Sequence, residues 1–339
     1  MKRSVQDVSA RLNGLLTTFS ANSRGSLFRL CLLVKNAASL GELGNLRGRK
    51  MDREHVLLSA DERERYLRQL SMADWSEEDQ LKLKNLRVTV MGIGGAASSI
   101  INNLLLLGVG KIVAIDQDTV ELSNLNRQFI HNVDHIGMSK AESLKIYARR
   151  LNPNVKVIAK QAKIDETTID EGIDPETDLI IDTFDKWASR SLVNRFAVKH
   201  KILYLMAGVV SNCFYTALLH SPHTPCLNCL VGRFQGSSVL GSFQTAIFAI
   251  NILPIAAMGA FSIAELIKYL KTGEVTNQFY FGSLYSTKQD IRFFSLFLSK
   301  HFKNISEEQG VWWGPVWDSE GIIKLKLSRD PGCRVCGNT

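Results

Sequence analysis

Four cysteines come as two tight pairs, Cys226-Leu227-Asn228-Cys229 and Cys333-Arg334-Val335-Cys336. Two CxxC thiolate pairs make a tetrahedral four-cysteine set for zinc, and four filled positions leave no place for a reactive water. The expected zinc is therefore structural, stapling the C-terminal tail to a loop more than a hundred residues earlier. Disulfides are the competing use of these cysteines, and the lack of an export signal argues against them. Cys31 and Cys213 remain, the latter in an apolar run where it reads as a small buried hydrophobe.

A second group is suited to an anion. Gly92-Ile93-Gly94-Gly95 follows the β-rich run Arg87–Met91 and precedes the Leu- and Ile-rich stretch Ala96–Leu107. A glycine turn between a strand and a helix aims backbone N–H groups and the helix dipole at a phosphate and lets the backbone come close. Ala97 stands where the usual spacing has a third glycine, so helix and strand are expected slightly further apart. Asp116 ends the next strand, Lys111–Ile115, where a carboxylate can accept hydrogen bonds from ribose hydroxyls. This much fits a dinucleotide as well as ATP.

The residues that follow favour ATP. Asp118, the run Ser123-Asn124-Leu125-Asn126-Arg127-Gln128, Lys140 after Gly137, and Asp182 and Asp185 together offer cations for a triphosphate and carboxylates for Mg²⁺. Phosphoryl and nucleotidyl transfer depends on such positioning and charge neutralisation. Mg²⁺ takes one or two carboxylates plus phosphate oxygens, a set that Asp185 can complete. Taken singly, each of these residues reads as a solvated loop charge.

Strands and helices must hold these groups in place. After the first strand–turn–helix, a helix is predicted over Ser139–Leu151, stopped at Asn152-Pro153. Val155–Ala159 and Leu179–Ile181 are short apolar runs; Ala188–His200 reads as helix and Ile202–Met206 as strand. Such alternation predicts an α/β fold with a doubly wound, mostly parallel sheet. From Ser211 on the pattern becomes a hairpin-like strand, Cys213–His220, then a long loop, then an uncharged stretch, Ala246–Ala264. That stretch is long enough to span a membrane, but Asn251, Pro254 and Gly259 interrupt it and Glu265 and Lys268 follow at once; a buried core helix is expected.

The 339 residues are 45% hydrophobic and 22% charged, which excludes wholesale disorder, a collagen-like chain and a small disulfide scaffold. The net charge of +8 is concentrated in the first fifty residues, where nine Lys and Arg face only Asp7 and Glu42. Residues 1–60 are thus set apart as a basic extension, and 61–339 form the catalytic body. The extension reads as a partner-binding module, a transit peptide, or a segment upstream of a start at Met51.

The ordered motifs Arg65-Tyr66-x-Arg68-Gln69, Gly92-x-Gly94-Gly95, Asp116-x-Asp118, Ser123-Asn124-Leu125-x-Arg127-Gln128, Gly137-x-x-Lys140, Asp182-x-x-Asp185 and the two CxxC pairs resemble the ThiF/MoeB/HesA superfamily, the ubiquitin-activating type of adenylyltransferase. The likeness covers residues 61–339 and implies a Rossmann-like sheet with a zinc-held C-terminal part. It implies that Asp116 holds the ribose and Gly92, Gly94 and Gly95 line the nucleotide loop, beside Asp118. It also implies that Asn124, Arg127, Gln128 and Lys140 meet the phosphates, that Asp185 binds Mg²⁺, and that Arg68 acts as an arginine finger supplied across a homodimer. Thr183–Lys186 (TFDK) departs from the commoner TDN-type ending.

The implied reaction is attack of a carboxylate on the α-phosphate of ATP, giving an acyl-adenylate and pyrophosphate. Val231–Thr245 holds no cysteine, where thioester-forming members usually place one, so the chain is expected to stop at adenylation or pass the adenylate directly to a nucleophile. That absence and the extension are similar to the branch that modifies ribosomally made precursor peptides, such as the microcin C and pantocin A enzymes. The alternative is adenylation of the C-terminal glycine of a ubiquitin-like sulfur carrier; a scaffold subunit or a tRNA-modifying relative ranks below both. The expected setting is the cytoplasm, with no membrane span and no nucleic acid partner.

Overall fold

A computed structural model describes residues 57–210, 212–231, 250–283, 321–327 and 329–337, all within one compact unit, Arg53–Thr339. Residues 1–56 of the extension, and the Val231–Thr245 segment beyond its first residue, lie outside the described residues.

Three short helices open the unit: α1 (Ala60–Arg65), α2 (Leu67–Leu70) and α3 (Glu77–Asn85). Ser59 with Glu62 and Ser76 with Asp79 form reciprocal capping boxes that start α1 and α3. Then come β1 (Arg87–Met91), α4 (Gly95–Leu107), β2 (Lys111–Asp116), α5 (Lys140–Leu151) and β3 (Lys156–Gln161). Next are α6 (Ile169–Gly172), β4 (Leu179–Asp182), α7 (Trp187–His200), β5 (Leu203–Val210) and β6 (Cys213–Leu219). The last are α8 (Leu227–Val231), α9 (Ile252–Thr272), β7 (Gln278–Ser283) and β8 (Gly321–Lys326).

The sheet runs β3-β2-β1-β4-β5-β6-β7-β8. The first five strands are parallel; β6, β7 and β8 add antiparallel pairings at one edge. Period-2 alternation sorts the strand residues to two faces. Val88, Val90, Ile112 and Ala114 meet α4, α5 and α9, whereas Val113, Ile115 and Ile180 meet α7 and the α6 region. Both faces are covered, so the strands read as continuous apolar runs.

The long apolar helix is α9, which packs on α4 and across the sheet. It meets the length and composition of a membrane span, yet its inner face is core: Met258, Ile263 and Leu266 are buried. Its buried Glu265 accepts hydrogen bonds from Tyr280 Oη and Lys268 Nζ, both at 2.6 Å. Gly259 sets the helix spacing, because a Cβ there would run into the Ser99 side chain and come within 3.1 Å of its backbone carbon.

The four cysteines gather at the end of α7, all four sulfurs within 4.8 Å of one another. Cys226 and Cys333 are 3.7 Å apart and Cys229 and Cys336 3.3 Å. Four sulfurs around one zinc stand roughly 3.8 Å apart, given a bond of about 2.3 Å, so the cluster fits the ion. The Cys226 thiol hydrogen-bonds Cys229 and holds its pKa below the ordinary thiol range, at about 5; the same pairing and burial push Cys226 up. Thiolate is the form that binds metal. Gly337 closes the second knuckle, its amide donating to Cys333 O at 2.7 Å.

Two outcomes follow for stability. Gly259→Val should lower the unfolding free energy by about 2–3 kcal/mol in urea denaturation, through overpacking between α4 and α9. Purified protein should carry one zinc per chain by elemental analysis, and its removal by a chelator should lower Tm by about 5–10 °C. A metal-free preparation of unchanged Tm would count against the zinc staple.

Candidate active site

In an open α/β sheet of this order, the chain leaves β1 for β2 and β3, then returns to the other side of β1 as β4. Ligands bind at that reversal, outside the carboxyl ends of the strands. The ends of β1, β2 and β4 carry Gly92, Asp116 and Asp182.

Gly92 adopts φ +93°, and a Cβ there would stand 2.9 Å from Thr183 Oγ1, so only glycine fits where the β1 turn passes the β4 end. Thr183 Oγ1 in turn donates to Met91 O at 2.8 Å. Gly94 is the N-cap of α4 and offers no side-chain cap, leaving the first-turn amides of a 13-residue helix for a ligand. Beside Gly94 the space is open: a Cβ would meet nothing nearer than Gln128 Nε2 at 4.0 Å. Gly95 is tighter, with Ile255 Cδ1 at 2.9 Å and Arg127 Cγ at 3.5 Å from a Cβ.

Asp116 is buried and its carboxylate takes two backbone amides, Ile93 N at 2.6 Å and Asp118 N at 2.8 Å. Lys140, also buried, starts α5 after the Ser139 cap. Its Nζ lies 2.9 Å from Asp118 Oδ2 and 4.0 Å from Asp116 Oδ2. Asn124 closes a 3-10 turn, Leu122–Asn124, and its carbonyl accepts from the amides of Arg127 (3.1 Å) and Gln128 (2.9 Å). Arg127 Nη1 donates back to Ser123 O at 2.7 Å. Gln128 Oε1 is buried without a hydrogen-bond partner among the described residues. An open glycine cradle with the Gln128 amide nitrogen at its edge and an uncapped helix start fits the phosphates of a bound nucleotide.

The two aspartates of the β4 end separate in role. Asp185 is exposed, three residues beyond the strand, next to the Thr183–Phe184 pair that touches Gly92. Asp182, read from the sequence as a second carboxylate for Mg²⁺, is instead fully buried and internally committed. It accepts from Tyr204 Oη and from Phe184 N at 3.0 Å, with Arg190 Nη1 at 3.8 Å. Burial pushes its carboxyl up, against the pull of Arg190 and these hydrogen bonds. Arg190 also donates to Ala207 O at 2.8 Å, tying the β4 end to β5. Four residues along α7, Asn194 Oδ1 accepts from Leu227 N at 2.9 Å, inside the first CxxC. One helix thus touches both the β4 loop and the cysteine cluster.

Arg68 is not joined to this group by any hydrogen bond or ion pair among the described residues; it is exposed on α2. Its neighbours are pinned. Buried Tyr66 Oη accepts from Asn152 Nδ2 at 2.9 Å, and Gln69 pairs with Gln80, which donates to Leu107 O at 2.8 Å. Residues the sequence left unremarked, Arg190, Tyr204 and His131, are buried here; a lone Arg, Tyr or His in a chain carries no spacing signal.

A model of the ThiF family matches residues 66–303. The SAMP-activating enzyme E1 of Haloferax volcanii is 35% identical over 213 residues, 63% of this chain and 77% of that protein. The molybdopterin-synthase adenylyltransferase of Escherichia coli is 28% identical over 281 residues, 83% of this chain and 98% of that enzyme. The chain spans only 39%, 41% and 65% of the length of three fungal relatives. Among solved structures, Escherichia coli MccB with MccA-N7isoASN superposes with a TM-score of 0.63 at 24% identity, over 83% of this chain and 76% of that one, a likeness of fold. With the family match spanning the glycine cradle, Asp116, Lys140 and Asp185, the chain belongs to the ThiF family and is an adenylyltransferase of the ThiF/MoeB type.

Proposed function

We propose that this enzyme activates a carboxylate of a ribosomally made precursor peptide as an acyl-adenylate, in the biosynthesis of a modified, antibiotic-type peptide, in the cytoplasm. The observation that carries the nucleotide half is the open glycine turn at the uncapped start of α4, where a Cβ on Gly94 would meet nothing nearer than Gln128 Nε2, a donor, at 4.0 Å. In this reading Asp116 and Asp118 face the ribose side, and Gly92, Gly94 and Gly95 line the phosphates. Asn124, Arg127, Gln128 and Lys140 take the phosphate oxygens, with Asp185 on Mg²⁺. Lys140, now held by Asp118, is within reach of a second anion and would share its charge with the triphosphate.

ATP supplies the electrophilic phosphorus and the leaving group. A substrate carboxylate oxygen attacks the α-phosphorus, the bond to the β-phosphate oxygen breaks, and pyrophosphate leaves with that electron pair. A nucleophile then attacks the acyl carbon and AMP departs. What the protein contributes is alignment and positive charge. Among the described residues Cys213 is buried in β6 and the other four cysteines form the metal-type cluster, which supports transfer from the adenylate without a protein thioester.

Arg68, exposed on α2 and outside the hydrogen-bond network of its own site, is free to serve as the finger of a second copy. The apolar surface left by Leu122, Val133 and Ile136 on the segment after β2 supports a homodimer.

The peptide preference rests on the basic extension ahead of residue 61 and the cysteine-free Val231–Thr245. A second reading is adenylation of the C-terminal glycine of a ubiquitin-like sulfur carrier. It is favoured by the alignment with the Escherichia coli molybdopterin-synthase adenylyltransferase, which takes in 98% of that enzyme.

ATP–pyrophosphate exchange separates the two. Exchange is expected with the peptide encoded by a short reading frame beside the gene, and not with a carrier ending in Gly-Gly. Exchange confined to the carrier would replace the peptide reading. In either case Lys140→Ala should lower the exchange rate about 10²-fold or more, with the fold intact by circular dichroism.

A further inference from the structure

Ile93 lies between two glycines beyond the end of β1, fully buried, with both backbone polar groups outside the strand ladder. Its amide is used by Asp116 at 2.6 Å. Its carbonyl is met by His131 Nε2 at 3.2 Å. His131 is itself buried, and its other nitrogen, Nδ1, lies 2.7 Å from Ser143 Oγ. The same hydroxyl lies 2.7 Å from His135 Nδ1. Ser143 is fully buried on α5, one turn after Lys140.

The direction of this chain can be assigned from its ends. A carbonyl only accepts, so His131 Nε2 carries the proton and donates to Ile93 O. Burial and the nearby Lys140 hold the imidazole pKa below its usual value, so the ring is neutral and Nδ1 is an acceptor. Ser143 therefore donates to His131 Nδ1, and its oxygen is left to accept from His135 Nδ1–H. The bonds run one way, from His135 through Ser143 and His131 to Ile93, whose own N–H continues to Asp116.

We propose that His131 is a positioning residue for nucleotide binding: locked in its Nε2–H tautomer by Ser143 and His135, it fixes the Ile93 backbone through the Ile93–Gly94 carbonyl and so steadies the adjoining amide that aims the Asp116 carboxylate. This rests on the reading of Asp116 as the ribose-side carboxylate. His131 does not touch the nucleotide. It acts through Ile93, the only residue of the glycine turn with a side chain: holding the Ile93–Gly94 carbonyl fixes the Cα between two glycines and so the direction of the Gly92–Ile93 N–H. Loss of the donor leaves Ile93 O buried and unpaired, at a cost relieved by rotating the Ile93–Gly94 peptide, which shifts the Ile93 Cα and with it the Gly92–Ile93 amide that Asp116 holds.

Two substitutions divide the functions of the imidazole. In His131→Gln the amide nitrogen can reach the Nε2 position and still donate to Ile93 O. In His131→Asn the amide reaches only the Nδ1 position and serves Ser143 alone. Isothermal titration with ATP, alongside thermal denaturation, is the measurement. His131→Gln should bind ATP within about threefold of the wild type, and His131→Asn about 10- to 100-fold more weakly, although both lose similar Tm. Equal weakening by both, or wild-type affinity in folded His131→Asn, would overturn the proposal. Should neither variant fold, Ser143→Ala keeps the ring but removes its lock. A loss of about 3- to 10-fold supports the proposal, and unchanged affinity overturns it. Wild-type protein that binds no ATP would remove the nucleotide reading beneath it, a result distinct from any variant's.

Discussion

The contact between the Asp116 carboxylate and the Ile93 amide governs the arrangement of the site. It joins the end of β2 to the turn after β1, just beyond the last β1–β2 pair, Met91 with Ile115. A carboxylate bound by two backbone amides is charge-assisted and directional. Asp116 also takes Asp118 N, so the turn after β2 is folded by the same group. That turn places Asp118 against Lys140, and Lys140 opens α5. One buried carboxylate therefore sets the glycine turn, the acidic pair and the base at the head of the next helix.

The sheet order explains why these parts meet. Reversal of winding at β1 and β4 parts the connecting helices and leaves a crevice above the two strand ends. Glycine at position 92 lets Thr183 come close from the β4 side, and the uncapped start of α4 faces the gap. On the far face of the sheet, α7 fastens the β4 loop through Arg190 and the cysteine knuckle through Asn194. The knuckle, although apart from the nucleotide cradle, bears on the same helix that holds the loop presenting Asp185. Its cysteines contribute rigidity to that helix end and no open coordination position.

Asp182 and Asp185 illustrate how burial divides identical chemistry. The first sits inside the sheet end with Tyr204 and Arg190 and is fully engaged there. The second, three residues on, is exposed and open to a ligand. Because both partners are buried, removing either one alone would leave the other charge uncompensated inside the protein.

Much of this was legible in the sequence because it depends on local rules. Glycine after a β-run, a Ser cap before Lys140, a Pro stop after Asn152 and paired CxxC motifs each carry their meaning within a few residues. β1 to β6 and α4, α5 and α7 fall within a few residues of where the apolar pattern places them, whereas α9 (Ile252–Thr272) is displaced toward the C-terminus from the expected Ala246–Ala264 and that pattern does not place β7 and β8; the Cys226, Cys229, Cys333 and Cys336 set assembles as spacing requires. The helices at 60–85 left a capping-box signal, Ser59 with Glu62 and Ser76 with Asp79, too short to read as elements without the packing of Tyr66 and Gln69. What only the tertiary structure decided is which polar residues face a ligand and which are consumed by the protein. Asp182 and Asp185 differ by their neighbours, not by their type, and His131 acquires a role only because α5 brings Ser143 beneath the Ile93 turn. Hydrogen-bond partners distant in sequence are set by the closure of the sheet and its helices, and no local spacing encodes them.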